Sequence, residues 1–266
     1  TFTVEKNSKL VKVHTVVHNR SRNHKLCLRL PVDCADAYYA DQCGTILKRT
    51  AATDPDSWNW KESDIFEKQF SSAVFARNEH GKKGGLIFIS KGGLHEAAYP
   101  GETSPALNIT LFRSFSKTVG TNGEPDGLLQ GDLTFDYAIA PVADETDAEL
   151  MQMKENFVSD VKTFTVRGDR LKNSVPFMEF LSACCVYDTA TPEKDEYGKI
   201  VPGGMIVRAF NYSNERAAGE IRFDKEPKEA YLCDYLGNKT GETQLRKNNV
   251  LFVAAPYAAV NVKVRF

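Results

Sequence analysis

A chain of 266 residues with 34 lysines and arginines against 35 aspartates and glutamates has no basic excess with which to grip a phosphate backbone or an anionic membrane surface. Its 42% hydrophobic content belongs to a globular protein that can build one large β domain or two ordinary ones. No apolar run approaches the ~20 residues that span a bilayer.

The opening TFTVEKNSKLVKVHTVV has neither an initiator methionine nor the apolar core of a signal peptide, and it enters a strand almost at once. The last residues, AAVNVKVRF, form another strand, so both ends read as cut from something longer. KLVKVHTVV and HKLCLRLPV flank the polar HNRSRN and are expected to pair as an antiparallel hairpin, with Leu26, Leu28, Leu30 and Val32 on one face. Between Pro31 and Phe66 a long irregular connection is predicted, anchored by Trp58 and Trp60 of DPDSWNW. SSAVFARN and LIFIS follow as a hairpin around EHGKKGG, and LIFIS is apolar on both faces, as a covered central strand should be.

SPALNITLFRSF, residues 104–115, is the anomalous strand. Leu107, Ile109 and Leu111 alternate with Asn108, Thr110 and Phe112, and one further step puts Arg113 on the apolar side. There it is expected to reach the rim or to pair with a carboxylate such as Asp132 or Asp136. After a Gly/Pro-rich loop, DLTFDYAIAP alternates cleanly, Leu133, Phe135, Tyr137 and Ile139 sharing one face. TDAELMQMKENFVSDV then switches to helical spacing, and Thr146 with Glu149 three residues on is a capping box, so a helix is predicted over 146–159. Six further strands follow, separated by turn signals such as VPGG and YLGNKTGE. With no repeat of 20–50 residues, the fold class is all-β: a large antiparallel β-sandwich with one short connecting helix. Residues 1–157 form a first sandwich, and 158–266 form a second β portion or complete the same sandwich.

The residues offer no catalytic motif. The histidines, His14, His18, His24, His80 and His95, form no H-E-x-x-H, and His14 and His18, on one strand face, lie about 13 Å apart. GKKGG sits between two strands, with no helix N-terminus to hold a phosphate. Six cysteines without a C-x-x-C pair read as free thiols of a reducing compartment, hence a cytoplasmic protein. Sequons at Asn19, Asn108, Asn211 and Asn238 carry little weight, since Asn108 lies mid-strand.

The order of the segments resembles a known family. VHNRSRNHKLCLRLPV, GGLIFISKGGLHEAAYPGETSPALNITLFRSF, LQGDLTFDYAIAP, MIVRAFNYSNERAAGEIRF and VAAPYAAVNVKVRF look like successive blocks of the C-terminal β-sandwich region of family 38 glycoside hydrolases, the α-mannosidase family. The turn at Ala97-Ala98-Tyr99 and the strand at YAAVNV depart from the family's pattern. The resemblance implies a non-catalytic fragment that scaffolds and partly walls a zinc-dependent retaining active site on a preceding catalytic domain. It implies no cofactor in this sequence, with zinc in that other domain. It also implies two partners, the parent's own N-terminal domain and, through the parent, a mannoside or oligosaccharide. The turn GLHE is on the side that approaches the catalytic domain in this family, which makes His95, Glu96 and Arg113 the interface or substrate-proximal candidates. No catalytic or metal-ligating residue carries over. The competing reading is a free-standing carbohydrate-binding or protein-interaction sandwich, in which Trp58, Trp60 or Tyr99 would stack on sugars.

Overall fold

The computed structural model describes residues 1–32, 37–42, 44–50, 53–60, 63–77, 84–92, 95–99, 105–117, 127–159 and 176–266. Contacts divide the chain into two compact units, Thr1–Glu145 with Asn156–Val158, and Thr146–Glu155 with Ser159–Phe266. Every strand pairing in both is antiparallel.

The first unit is a sandwich of a seven-stranded and a four-stranded sheet. In spatial order the larger contains β1 (Phe2–Val4), β2 (Val11–Asn19), β11 (Gly131–Val142), β8 (Gly85–Ser90), β7 (Ala73–Ala76), β4 (Ala37–Gln42) and β5 (Thr45–Thr50). The smaller contains β3 (His24–Pro31), β10 (Ala106–Ser114), β9 (His95–Ala98) and β6 (Lys68–Phe70). Val13, Val74, Phe88 and Tyr137 from one sheet meet Leu30, Phe70, Leu107, Ile109 and Phe112 from the other in a single core. Each such side chain contributes about 1.5–3 kcal/mol by leaving water. Strand β8 is covered on both faces, as LIFIS predicts: Ile87, Phe88 and Ile89 are fully buried.

The predicted β2–β3 hairpin is not formed. β2 pairs with β1 and β11, and β3 pairs with β10, so the chain crosses from one sheet to the other through residues 20–23. Both strands carry an apolar face, and these faces meet the same core from opposite sides, Val13 and Val17 on one and Leu26, Leu28 and Leu30 on the other. Period-2 alternation reports a buried face equally for strands that pair and strands that oppose. The connection after Pro31 is irregular only in its later part, since β4 and β5 form a hairpin within it. Its tryptophans do not anchor it, because Trp58 and Trp60 are 74% and 54% exposed. That loop is held by polar contacts, with Asp54 accepting from the Asp56 amide, Asp64 accepting from the Asp54 amide, and Lys68 paired to Asp64. Cys34, Cys43, His80 and most of the turns expected at EHGKKGG and after residue 117 lie outside the described residues.

Helix α1 (Asp147–Val158) starts where the sequence places it. The Thr146 hydroxyl accepts from the Glu149 amide and the Glu149 carboxylate accepts from the Thr146 amide, closing the capping box.

The second unit stacks a four-stranded sheet, β12 (Met178–Leu181), β15 (Ala217–Phe223), β19 (Asn249–Ala254) and β18 (Gln244–Arg246), on a five-stranded one. The latter runs β13 (Cys185–Lys194), β14 (Ile200–Asn211), β20 (Ala259–Arg265), β16 (Glu229–Cys233) and β17 (Lys239–Glu242). Ile221, Phe223, Val250 and Phe252 face Val207, Ala209, Val260, Val262 and Val264 across its core. VPGG, expected as a turn, lies inside β14; the chain reverses instead over Asp195–Lys199, where Asp195 Oδ1 accepts from the amides of Tyr197 and Lys199. Gly204 makes room for a buried acid. Glu193 sits at a register shift of β13, and a Cβ on Gly204 would come within 2.3 Å of its carboxylate. The carboxylate bridges Lys263 Nζ at 2.8 Å and Arg265 NH2 at 2.6 Å, and Glu193 is only 4% exposed.

Candidate functional site

The anomaly at Arg113 is resolved by one extra residue. Across the β10–β3 ladder Thr110 opposes Cys27 and Phe112 opposes Leu26, so Leu111 is unmatched and forms a bulge. A bulge shifts the alternation by one place. Leu107 and Ile109 point into the core, Leu111 and Phe112 both join them, and Arg113 is returned to the outer face beside Asn108 and Thr110. Phe112 holds the inner position by stacking on Phe135 at 6.1 Å and taking the edge of His24 at 5.5 Å.

On the outer face Arg113 faces Lys25 across the ladder, a like-charge pair that needs compensation. Two carboxylates supply it. Arg113 donates through Nε at 2.8 Å and NH2 at 2.5 Å to Glu96 Oε2, and its NH2 is 3.7 Å from Glu67. Glu67 in turn pairs with Lys25. The four groups thus form one chain of contacts with alternating charge, Glu96–Arg113–Glu67–Lys25. The Lys25 ammonium, with the Arg113 guanidinium adding to it, holds the Glu67 carboxyl below its ordinary range. Asp132 and Asp136, the partners expected for Arg113, belong to β11 in the other sheet. They pair instead with His18 Nδ1 at 2.8 Å and His14 Nδ1 at 2.7 Å.

Glu96 and Arg113 are therefore brought together, while His95 takes the opposite face of β9. Its ring lies 5.9 Å from Phe70, with Nδ1 3.3 Å from the Thr110 carbonyl and Nε2 3.2 Å from the Gly92 carbonyl. β9 is fixed from across the core, where the buried Tyr38 hydroxyl of β4 donates to the Ala97 carbonyl at 2.9 Å. Burial pushes that phenol up to about 12. His95, Glu96, Thr110 and Arg113, with Gln69, line an open pocket of about 250 Å3. A guanidinium compensated by two carboxylates can hold and orient a polar group placed against it.

Of the aromatic candidates, Tyr99 is 2% exposed and cannot stack on a ligand. The buried acid Glu193 was invisible to motif reading, because TPEKDEYG looks like a solvated loop; the Gly203-Gly204 pair opposite it was the available signal. Among the described residues no three metal-ligating side chains gather, and Cys27, Cys184, Cys185 and Cys233 are free thiols.

Residues 191–265 match the model of the glycosyl hydrolases family 38 C-terminal beta sandwich domain. A search of curated protein sequences finds no match. The crystal structure of an alpha-mannosidase from Enterococcus faecalis V583 superposes on the whole chain with a TM-score of 0.74 at 14% identity, covering 28% of that protein. A second crystal structure, of a glycosyl hydrolase family 38 protein from Enterococcus faecalis, gives 0.72 at 16% identity, again over the whole chain and 29% of its own. The chain thus spans less than a third of the length of these structures. At such identities the superpositions establish the fold, and the family model, covering β14 to β20 and the end of β13, supplies the sequence relationship. Together they relate the chain to the C-terminal β-sandwich region of family 38 glycoside hydrolases.

Proposed function

We propose that the chain serves as the C-terminal β-sandwich portion of an α-mannosidase-like glycoside hydrolase, non-catalytic in itself. It carries and partly walls an active site formed by a preceding domain. The observation that carries this reading is the superposition of the entire chain, both units included, on an alpha-mannosidase at a TM-score of 0.74. The bulge-positioned Arg113–Glu96 pair is the part of the chain assigned to that wall, or to bracing the interface behind it. In the parent enzyme one carboxylate would attack the anomeric carbon and another would act as acid and base, with zinc holding sugar hydroxyls. All of those groups are assigned to the other domain. The free thiols favour a reducing, cytoplasmic setting.

Arg113→Ala in the full-length parent tests the role of this face. Loss of a group that orients substrate or the interface should lower kcat/KM on an aryl α-mannoside by about tenfold, or ~1.4 kcal/mol. A variant with unchanged kcat/KM and unchanged stability would remove the face from function.

A further inference from the structure

In the second unit the edge of the four-stranded sheet is notched beside β19. A strand inside an antiparallel sheet bonds alternately to its two neighbours. The Phe223 amide donates to the Asn248 carbonyl at 2.9 Å, which sets that alternation. Val250, Phe252 and Ala254 bond toward β15, and Asn249, Leu251 and Val253 face the β18 side. β18 begins at Gln244, opposite Leu251, and the register carried two residues back would place Glu242 opposite Val253. Glu242 pairs instead with Tyr231 in the other sheet. Thr243 turns the chain away, its hydroxyl donating to the Ala230 carbonyl at 2.8 Å. The Val253 N–H and C=O therefore face the sheet edge with no backbone partner among the described residues. Such an edge is a template for another strand.

A recess of about 550 Å3 opens at the notch, lined among others by Arg216, Leu232, Thr243, Gln244, Phe252 and Val253. The Phe252 ring leans away from it. A Cβ on Gly219, the partner of Phe252 in β15, would fall 2.2 Å from that ring. The lean leaves room on the notch side, where Leu232 of the facing sheet adds an apolar wall.

A missing rung selects its own ligand. One N–H and one C=O on a single strand residue exchange both bonds with one residue of an antiparallel strand. We infer that the notch takes an extended peptide segment of a partner protein, which lies end to end with β18 and supplies the absent rung. The segment's residue opposite Val253 bonds through its main chain. The residues on either side of it share the inward face of Phe252 and are small and apolar, as the recess requires. The next residue toward the segment's N-terminus lies opposite Ala255, on the outer face. Arg216, one step beyond the Ala217–Ala254 pair, shares that face, is exposed, and has no ion pair among the described residues. An acidic side chain suits that position. Glu242, also at the recess, is already paired with Lys239 at 2.6 Å.

The probe is the blocked tetrapeptide acetyl-Glu-Val-Thr-Val-amide, titrated into the 266-residue chain while backbone amide resonances are followed. The amides of Ala218, Gln244, Phe252 and Val253 should shift, and hydrogen exchange of the Val253 amide should slow by about fivefold or more. A probe N-methylated at its threonine lacks the N–H that the rung needs and should bind at least about tenfold more weakly. Arg216→Ala should weaken the glutamate probe by about two- to fourfold, the scale of an exposed ion pair, and leave acetyl-Gln-Val-Thr-Val-amide unaffected. Val253→Pro removes the outward N–H while sparing the bonds to β15, and should abolish binding. If that variant loses the folded amide pattern, the N-methylated probe makes the same test on the unaltered protein. The inference is overturned if these amides do not move, if the N-methylated probe binds equally well, or if Arg216→Ala weakens both probes alike. It is also overturned if the same amides shift with protein concentration alone, which assigns the notch to a second copy of the chain. No glycoside enters the titration, so its outcome is independent of the mannosidase reading.

Discussion

Replacing Glu193 by glutamine isolates the most heavily buried ion cluster of the second unit. The carboxyl is held down to about 2, chiefly by its hydrogen bond from Arg265, with burial opposing and Lys263 assisting. Against an unfolded value near 4.3, this corresponds to about 2–3 kcal/mol of stability at neutral pH. Glutamine keeps the shape and removes the charge, leaving Lys263, 10% exposed, without its counter-ion. Breaking a buried pair typically costs about 3–5 kcal/mol. Arg265 is 44% exposed and keeps Glu229 at 3.2 Å, so the loss should fall mainly on Lys263 and total about 2–4 kcal/mol. The chain's two tryptophans, Trp58 and Trp60, are both in the first unit. Indole emission therefore does not report on this change, and hydrogen exchange of β13 and β20 in a urea series is the suitable assay. A loss below about 0.5 kcal/mol would refute the reasoning. So would an E193Q/K263M double variant no more stable than E193Q, since removing the stranded ammonium should restore stability.

Other expectations follow from the same geometry. Gly204→Ala places a Cβ 2.3 Å from the Glu193 carboxylate, so it should reproduce most of the Glu193→Gln loss in the same exchange experiment. Acid should weaken both units. Glu193 and Glu145 are each lowered to about 2, the latter chiefly by the bond from Lys9, so their stabilisation is complete above the unfolded value. It is lost as pH falls from about 4.5 through 2, which calorimetry should record as a falling Tm in that window. Thr146→Ala removes the capping box and should cost about 1 kcal/mol, read as faster exchange of the amides at 147–150.

How much of this was legible in the sequence depends on what kind of fact each feature is. Alternation in β11 and in β3, the doubly covered β8 and the Thr146–Glu149 cap are local patterns, and each appears where those residues put it. Pairing is not local. β2 and β3 have the same amphipathic signature whether they lie side by side or face each other, and only the assembled core distinguishes the two. The bulge in β10 was hidden for a different reason: Leu111 and Phe112 are both apolar, so an extra inward residue leaves no gap in the pattern until Arg113 falls on the wrong side. That misfit was the visible trace of the bulge. Counting strictly by twos sent the arginine toward Asp132 and Asp136, whereas the shifted register gave it Glu96 and Glu67. Glu193 shows the same limit, since nothing in TPEKDEYG distinguishes a buried carboxylate from a solvated one.

The central claim is that this chain supports glycoside hydrolysis without performing it. The most direct measurement compares hydrolysis of an aryl α-mannoside by the full-length parent and by the 266-residue chain, each with and without added zinc. The account predicts turnover by the parent and none by the chain under either condition. Turnover by the isolated chain, or a parent inert toward α-mannosides, would contradict it.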